Sequence, residues 1–426
     1  MPTTDAALFA NCPPCPVCLA SSTAEVLRIT PVPIYCNVLH VSRDAALNAP
    51  RGDLALRFCP TCGHLFNAAF DPSLVKYQGD YENSLHFSSR FQAYATELAA
   101  SLVARHDLHG KRVTEIACGQ GDLLYLLCTL GANRGLGFDP GHVPGRRDLG
   151  GGAEISFVQD YWREQPGWEA DLVVCRHALE HLPQPGTLLA GLRRAIGERS
   201  TALYFEVPDA RFTLDGLGIW DLIYEHCGYF TPSSLAEVFR RAGFVLDSIE
   251  SAFGGQFLGL HVRPTAKLFG VEPSGLGVGG TAHAAVNEIP LPLAAAGPPG
   301  ALEADLPMRV ERFAAAYCAK VAAWRLRLDE LRRQGRRTVL WGAGSKGVSF
   351  INTLQVGEAV AALVDLNPHK QGRFVPGTGH QVLAPAALAD HSPDVVIVLN
   401  PQYRHEIAAD LAALDIQAEL LVDEVP

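Results

Sequence analysis

Along the chain the spacing of hydrophobic positions changes several times, and each change marks an element. The short, mostly apolar runs Glu25–Ile29 and Leu54–Phe58 predict strands near the N-terminus. From Val113 onward a longer rhythm begins. Val113–Ile116 enters a Gly-rich turn and leads into LLYLLCTL, which predicts a strand, a turn and a helix. Further strands are predicted at GLGF, at DLVVC (171–175) and at ALYFEV (202–207); SSLAEVFRRAGF predicts a helix. Strands alternating with helices over 105–265 predict a parallel, doubly wound α/β sheet. The next stretch, to residue 307, is rich in Gly, Pro and Ala and reads as a linker. Met308–Arg336 carries Val310, Phe313, Ala314, Cys318, Val321, Trp324, Leu328 and Leu331 at three- and four-residue spacing, the pattern of an amphipathic helix. TVLW, AALVD and DVVIVLNP then predict the strands of a second α/β unit. The expected organisation is 1–75, 76–265, a linker at 266–307, and 308–426.

The 426 residues exceed what one core serves, which agrees with several domains. At 48% hydrophobic and 19% charged residues the chain is globular rather than disordered. Thirty-five basic against forty-five acidic side chains leave a formal charge of -10, which argues against general nucleic-acid binding. No run approaches about 20 apolar residues, and the start, MPTTDAALFANCPPC, lacks a basic segment followed by an apolar one. A soluble, cytoplasmic protein with no membrane partner is expected.

Six of the eleven cysteines crowd the first 62 residues. Cys15-Pro-Val-Cys18 and Cys59-Pro-Thr-Cys62-Gly63 form two C-x-x-C pairs, a spacing that lets both sulfurs of a tight turn face one tetrahedral ion. Four thiolates leave no open coordination position, so a structural zinc ribbon is expected. Cys12, also two residues from Cys15, offers an alternative first pair.

Glu115-Ile-Ala117-Cys-Gly119-Gln-Gly121 forms the first Gly-rich turn, with Asp139 ending the next strand 20 residues after Gly119. Glycines admit a ligand close to the backbone, and an acidic residue at that strand end takes ribose hydroxyls. The layout lacks both G-x-G-x-x-G and a P-loop Lys, so a nucleoside without phosphates is expected. His177, Glu180 and His181 follow the fourth strand, and Tyr224-Glu225-His226 precedes Tyr229-Phe230-Thr231; these lie where the ligand-binding edge of such a sheet should be. A His near neutrality removes protons from carbon or oxygen. A second turn, Gly342-x-Gly344-x-x-Gly347 with Asp365 after the next strand, is by itself a dinucleotide fingerprint and supports a rival NAD-dependent oxidoreductase; Lys346 stands at its helix mouth.

Taken together, C-x-x-C…C-x-x-C-G, E-x-A-C-G-x-G, HALEHL, EHCGYFT and GAGSKG…DLNPHKQGRFVPGTGH resemble the three-part C-methyltransferases that act on nucleotide-linked keto-deoxysugars in antibiotic biosynthesis. The resemblance implies S-adenosylmethionine on a class I methyltransferase domain, with Glu115, Ala117, Gly119, Gly121, Asp139 and Asp160 around it. It implies structural zinc on Cys15, Cys18, Cys59 and Cys62. It further implies His226 as base, with Glu225, His181 and Tyr224 beside it, and His177, Tyr229 and Lys346 toward a small-molecule acceptor. Two departures fall in the acceptor region: Ile223 stands where the family has Tyr, and the family's longer G-Y-G-A-P-A-K-G turn is shortened here to G-A-G-S-K-G. O-methylation of a hydroxyl is the alternative within the same class.

Overall fold

The computed structural model describes residues 13–77, 80–145, 154–265 and 302–423. Cys12 and the linker, apart from residues 302–307, lie outside them. Three strands, β1 (Ala24–Pro33), β2 (Arg51–Phe58) and β3 (Leu65–Asn67), form an antiparallel meander. Tight turns at residues 15–18 and 59–62 precede β1 and join β2 to β3. Gly63 closes the second turn at φ +79, where its N–H donates to the Cys59 carbonyl at 2.9 Å. A side chain is disfavoured there.

The central sheet contains β4 (Arg112–Ile116), β5 (Arg134–Phe138), β6 (Glu154–Val158), β7 (Leu172–Arg176) and β8 (Ala202–Pro208), all parallel. The chain then forms a two-residue strand, β9 (Gly228–Tyr229), which pairs with β3 of the N-terminal sheet. It returns as β10 (Phe244–Ala252) and β11 (Phe257–Pro264), giving the order β10-β11-β8-β7-β4-β5-β6 with β11 antiparallel to both neighbours. Alternation within β7 explains its burial on both faces. Leu172 and Val174 pack with residues from helices Ser89–Arg105 and Asp122–Gly131, whereas Val173 and Cys175 pack with helices Pro185–Ile196 and Pro232–Arg241. The strand order reverses between β4 and β7, which opens a crevice at their carboxyl ends.

Helix Leu306–Arg333 starts the C-terminal part, with Pro307 in its first turn, and leads into β12 (Thr338–Trp341), β13 (Leu363–Val364), β14 (Val382–Leu383), β15 (Val395–Val398) and β16 (Glu419–Val422). This sheet is wholly parallel in the order β14-β13-β12-β15-β16. The third glycine of its turn is a packing requirement: a Cβ on Gly347 would stand 2.1 Å from the Gly342 carbonyl oxygen.

One core joins all three parts. Leu54 and Leu56 of β2, Trp220 of the central part, and Phe313, Trp324 and Leu328 of the long helix belong to it. At its edge buried Asp423 accepts from Trp220 Nε1 at 2.8 Å and Trp324 Nε1 at 2.9 Å, and pairs with Lys320 at 3.0 Å. Removing that carboxylate would leave a buried cation unpaired, a loss of about 3–5 kcal/mol. Asp423→Ala is therefore expected to lower the urea midpoint sharply and Asp423→Asn less so; equal midpoints for wild type and Asp423→Ala would remove this contact from the account.

Candidate active site

The four cysteines of the paired motif converge. Cys15 Sγ lies 3.6 Å from Cys62 Sγ, Cys18 Sγ lies 3.5 Å from Cys59 Sγ, and all four lie within 4.8 Å of one another. A tetrahedral ion with bonds of about 2.3 Å separates sulfurs by about 3.8 Å, so this donor set fits zinc. Backbone N–H groups of Cys18, Ala20 and Cys62 point at the sulfurs of Cys15, Cys18 and Cys59, a polarity suited to thiolate. The pairing with β9 connects this module to the histidine loop. Ser233 Oγ donates to the Cys62 carbonyl at 3.1 Å, Thr231 Oγ1 to the Gly63 carbonyl at 3.2 Å, and Asn67 N–H to the Cys227 carbonyl at 3.0 Å.

A cavity of about 1350 Å³ spans the carboxyl ends of the central and C-terminal sheets. That exceeds the roughly 300–1,000 Å³ of a single-ligand site and leaves room for two. Ala117, Gly119, Asp139, Tyr161 and Trp162 line one end. Gly119 adopts φ +55 with nothing within 4 Å of where a Cβ would be, an open approach to the backbone. Asp139 accepts from Gly119 N at 2.9 Å and Gly141 N at 2.7 Å, which leaves lone pairs for hydroxyl donors. Asp139 and Asp122 give this end acidic character, complementary to a cation and repulsive to phosphate. These residues thus fit a cationic nucleoside such as S-adenosylmethionine. Glu115 is buried, accepts from Leu124 N at 3.0 Å, and burial raises its pKa to about 8. Gly121 supplies the left-handed N-cap, φ +86, of the following helix. Ala117 is left-handed as well, φ +56, at the position where the family motif has glycine. Asp160 is the exception among the expected cofactor residues: its carboxylate turns to Tyr161 N and Arg163, outside the cavity wall.

His177, Glu180, His181 and His226 line the same cavity. His177 adopts φ +51 at the end of β7, and its Nε2 is 2.9 Å from Glu206 Oε1. Glu206 is fully buried. Burial opposes its ionisation, yet Arg176 at 2.8 Å outweighs that and holds the carboxyl well below the usual range. His181 is held by the Tyr77 hydroxyl, 2.7 Å from Nδ1, and by the backbone of Glu225. His226 packs edge-on against His181, with centroids 4.9 Å apart, and among the described residues no hydrogen bond reaches its ring. Burial, with the charges of His177 and Lys346, lowers its pKa to about 3, so the ring is neutral at pH 7.

Two expected pocket residues face elsewhere. Glu225 accepts from Cys36 N at 2.7 Å, behind the cavity wall, with its pKa raised to about 7 by burial. Tyr224 points the same way: its hydroxyl accepts from Asp71 N at 2.8 Å and its ring covers Gly52. Tyr224 and Glu225 lie in a turn, where distant partners, Asp71 and Cys36, hold both side chains away from the cavity that His226 lines. Tyr229 lines the cavity with its ring, while its hydroxyl donates to the Ile223 carbonyl at 3.2 Å.

The C-terminal turn repeats the first one. Asp365 accepts from Ala343 N at 2.8 Å and Asn367 N at 2.9 Å, as Asp139 does from its own turn. Lys346 lines the cavity with its ammonium paired to Asp221 of the central part. Sequence reasoning did not single out Tyr77, Glu206 or Arg176; their roles come from contacts between different elements, Tyr77 with His181 across 104 residues and Glu206 of β8 with Arg176 and His177 at the end of β7.

Residues 88–249 match the model of a methyltransferase domain, and residues 302–426 match that of a C-methyltransferase C-terminal domain. A ubiquinone biosynthesis O-methyltransferase of Salmonella paratyphi A is 34% identical over 88 residues, 19% of this chain and 36% of its own. The chain therefore spans about a third of that relative's length. A protein of the same name from Acinetobacter baumannii (strain AYE) is 25% identical over 187 residues, 39% of this chain and 74% of its own. The solved magnesium protoporphyrin IX methyltransferase of Synechocystis PCC 6803 superposes with a TM-score of 0.34 at 20% identity, covering 41% of this chain and 84% of that one.

Two outcomes are expected from this geometry. Purified protein should hold one zinc per chain, and Cys62→Ser should lose it together with several degrees of melting temperature, as metal analysis and calorimetry will show. Ala117→Gly should relieve a left-handed Ala and raise stability by up to about 1 kcal/mol; a loss instead would mean that the methyl group packs favourably.

Proposed function

We propose that this chain, in which a methyltransferase domain precedes a C-methyltransferase C-terminal domain, is an S-adenosylmethionine-dependent C-methyltransferase that acts beside a carbonyl of a small molecule. The acceptor class we assign is a nucleotide-linked keto-deoxysugar. One observation carries the reading: His226 offers a neutral ring without hydrogen-bond partners among the described residues, in a cavity shared by the first Gly turn and the C-terminal sheet. His177 and His181 each have a nitrogen already engaged.

When bound, S-adenosylmethionine supplies an electrophilic methyl group. The remaining steps fall to the protein. The turn at Ala117–Gly119 and the Asp139 carboxylate hold the nucleoside at one end of the cavity. His226 takes a proton from the carbon next to the acceptor carbonyl. Tyr77 and the Glu225 backbone fix His181, and His181 in turn buttresses the His226 ring. The walls contributed by both sheets keep acceptor and methyl donor together and exclude water, which raises their effective concentration. Zinc on the four cysteines has no vacant position and serves by fixing β3, hence the loop that bears His226.

The names of the curated relatives favour O-methylation as a second reading. A hydroxyl acceptor would use the same His226 but would need no group to hold an enolate oxygen. His226→Asn should reduce turnover at least about 10²-fold while leaving S-adenosylmethionine affinity, measured by calorimetry, within twofold of wild type. Undiminished methylation by this variant would move the base elsewhere.

A further inference from the structure

One buried acid of the cavity has no part in the steps above. Glu180 is 2% exposed, lines the cavity, and among the described residues has no hydrogen-bond partner at either carboxyl oxygen. It sits in the short turn Leu179–His181 after β7, so the same backbone carries His177 and His181. The nearest basic nitrogen is His177 Nδ1, 3.9 Å from Oε1 and beyond hydrogen-bond reach; the other nitrogen of that ring already faces Glu206. An ionised carboxylate without a partner is costly to bury, so the group is a neutral acid with an undirected O–H. Burial raising its pKa to about 8 agrees.

Glu180, His181 and His226 place donor atoms within 4.8 Å of one another, which invites a metal reading. His181, however, already meets the Tyr77 hydroxyl at Nδ1 and the Glu225 backbone, and Glu180 and His226 alone fall short of the three protein donors that catalytic metal sites use. The spacing suits a ketone instead. With contacts of about 2.7 Å to the oxygen and about 3 Å to the neighbouring carbon, one H–C–C=O unit fits between an acid and a base so placed.

We propose that Glu180 donates a hydrogen bond to the acceptor's carbonyl oxygen while His226 removes the adjacent proton. This rests on the reading of His226 as base toward a ketone, and it gives that ketone a reason to be preferred over a hydroxyl. The proton passes from carbon to a His226 ring nitrogen. The C–H electron pair becomes the C=C bond of an enolate, the carbonyl π pair moves onto oxygen, and the Glu180 O–H supports the charge there. Reversal with a solvent deuteron restores the ketone carrying a label. A base with so little affinity for protons needs that assistance.

The test requires no methyl transfer. Wild type is incubated in deuterium oxide with S-adenosylhomocysteine and a thymidine-diphosphate-linked 4-keto-6-deoxyhexose as probe, and exchange beside the carbonyl is followed by NMR. Wild type is expected to exchange. Glu180→Leu should lose about 10²–10³-fold, while Glu180→Gln, still a donor of similar shape, should fall in between with unchanged S-adenosylhomocysteine affinity and melting temperature. If Glu180→Leu folds poorly, the rate of Glu180→Gln decides. Exchange by both variants at the wild-type rate overturns the role of Glu180 alone. A wild type that binds the probe without exchange overturns the ketone reading and this role with it. Two metal ions per wild-type chain, falling to one in Glu180→Gln, would make Glu180 a ligand and end the proposal.

Discussion

The antiparallel pairing of β3 with Gly228–Tyr229 is short, two residue pairs, yet the arrangement of the cavity depends on it. It inserts a piece of the central domain into the N-terminal sheet and so fixes the loop that carries His226. The strand that receives it starts three residues after Cys62, and the side chains of Thr231 and Ser233 tie the loop back to the Cys62–Gly63 carbonyls. A four-cysteine module at the N-terminal end thereby sets the position of the His226 ring. Close packing at the crossing leaves little slack: a Cβ on Gly228 would stand 3.1 Å from the buried His64 ring.

Within the cavity, similar side chains take opposite electrostatic states because their neighbours differ. Glu206 has Arg176 against it and stays ionised despite full burial. Glu180 has no cation within hydrogen-bond distance among the described residues, and burial raises its pKa to about 8. The same contrast separates the two Gly turns. Both orient an aspartate through one turn N–H and one N–H two residues on, so the backbone solution is shared. They differ in what stands at the mouth. The first opens onto acidic groups, whereas the second presents Lys346, whose charge is paired with Asp221 and so joins the two halves of the cavity wall.

Much of this was legible in the residues because it is encoded locally. Two C-x-x-C turns, a Gly turn after an apolar run, and apolar positions at three- and four-residue spacing each reflect the geometry of one short segment. The strands at 112–116, 134–138, 172–176 and 202–208, and the helix at 306–333, follow from those rules within a few residues. The sheet order was partly accessible too, since βαβ connections have a fixed hand. The Tyr224-Glu225-His226 run was harder. Its composition suggests three catalytic groups, but Asp71 and Cys36, far off in sequence, draw Tyr224 and Glu225 away from the cavity.

What the sequence by itself determined is therefore the parts: a four-cysteine module, an α/β sheet with a nucleoside-type turn, a second such sheet, and a set of histidines at strand ends. Tertiary structure alone decided which of those histidines stays without a hydrogen bond among the described residues. Tyr77 reaches His181 across 104 residues, Cys36 turns Glu225 away across 189, and Glu206 occupies His177 across a neighbouring strand. It also decided that, among the described residues, neither carboxyl oxygen of Glu180 meets a partner. Local periodicity reports which face of a strand or helix is buried; it carries no information about which distant group arrives to meet it. Hydrogen bonding and charge compensation act over a few ångströms, so they are settled only when the chain has brought those distant residues together.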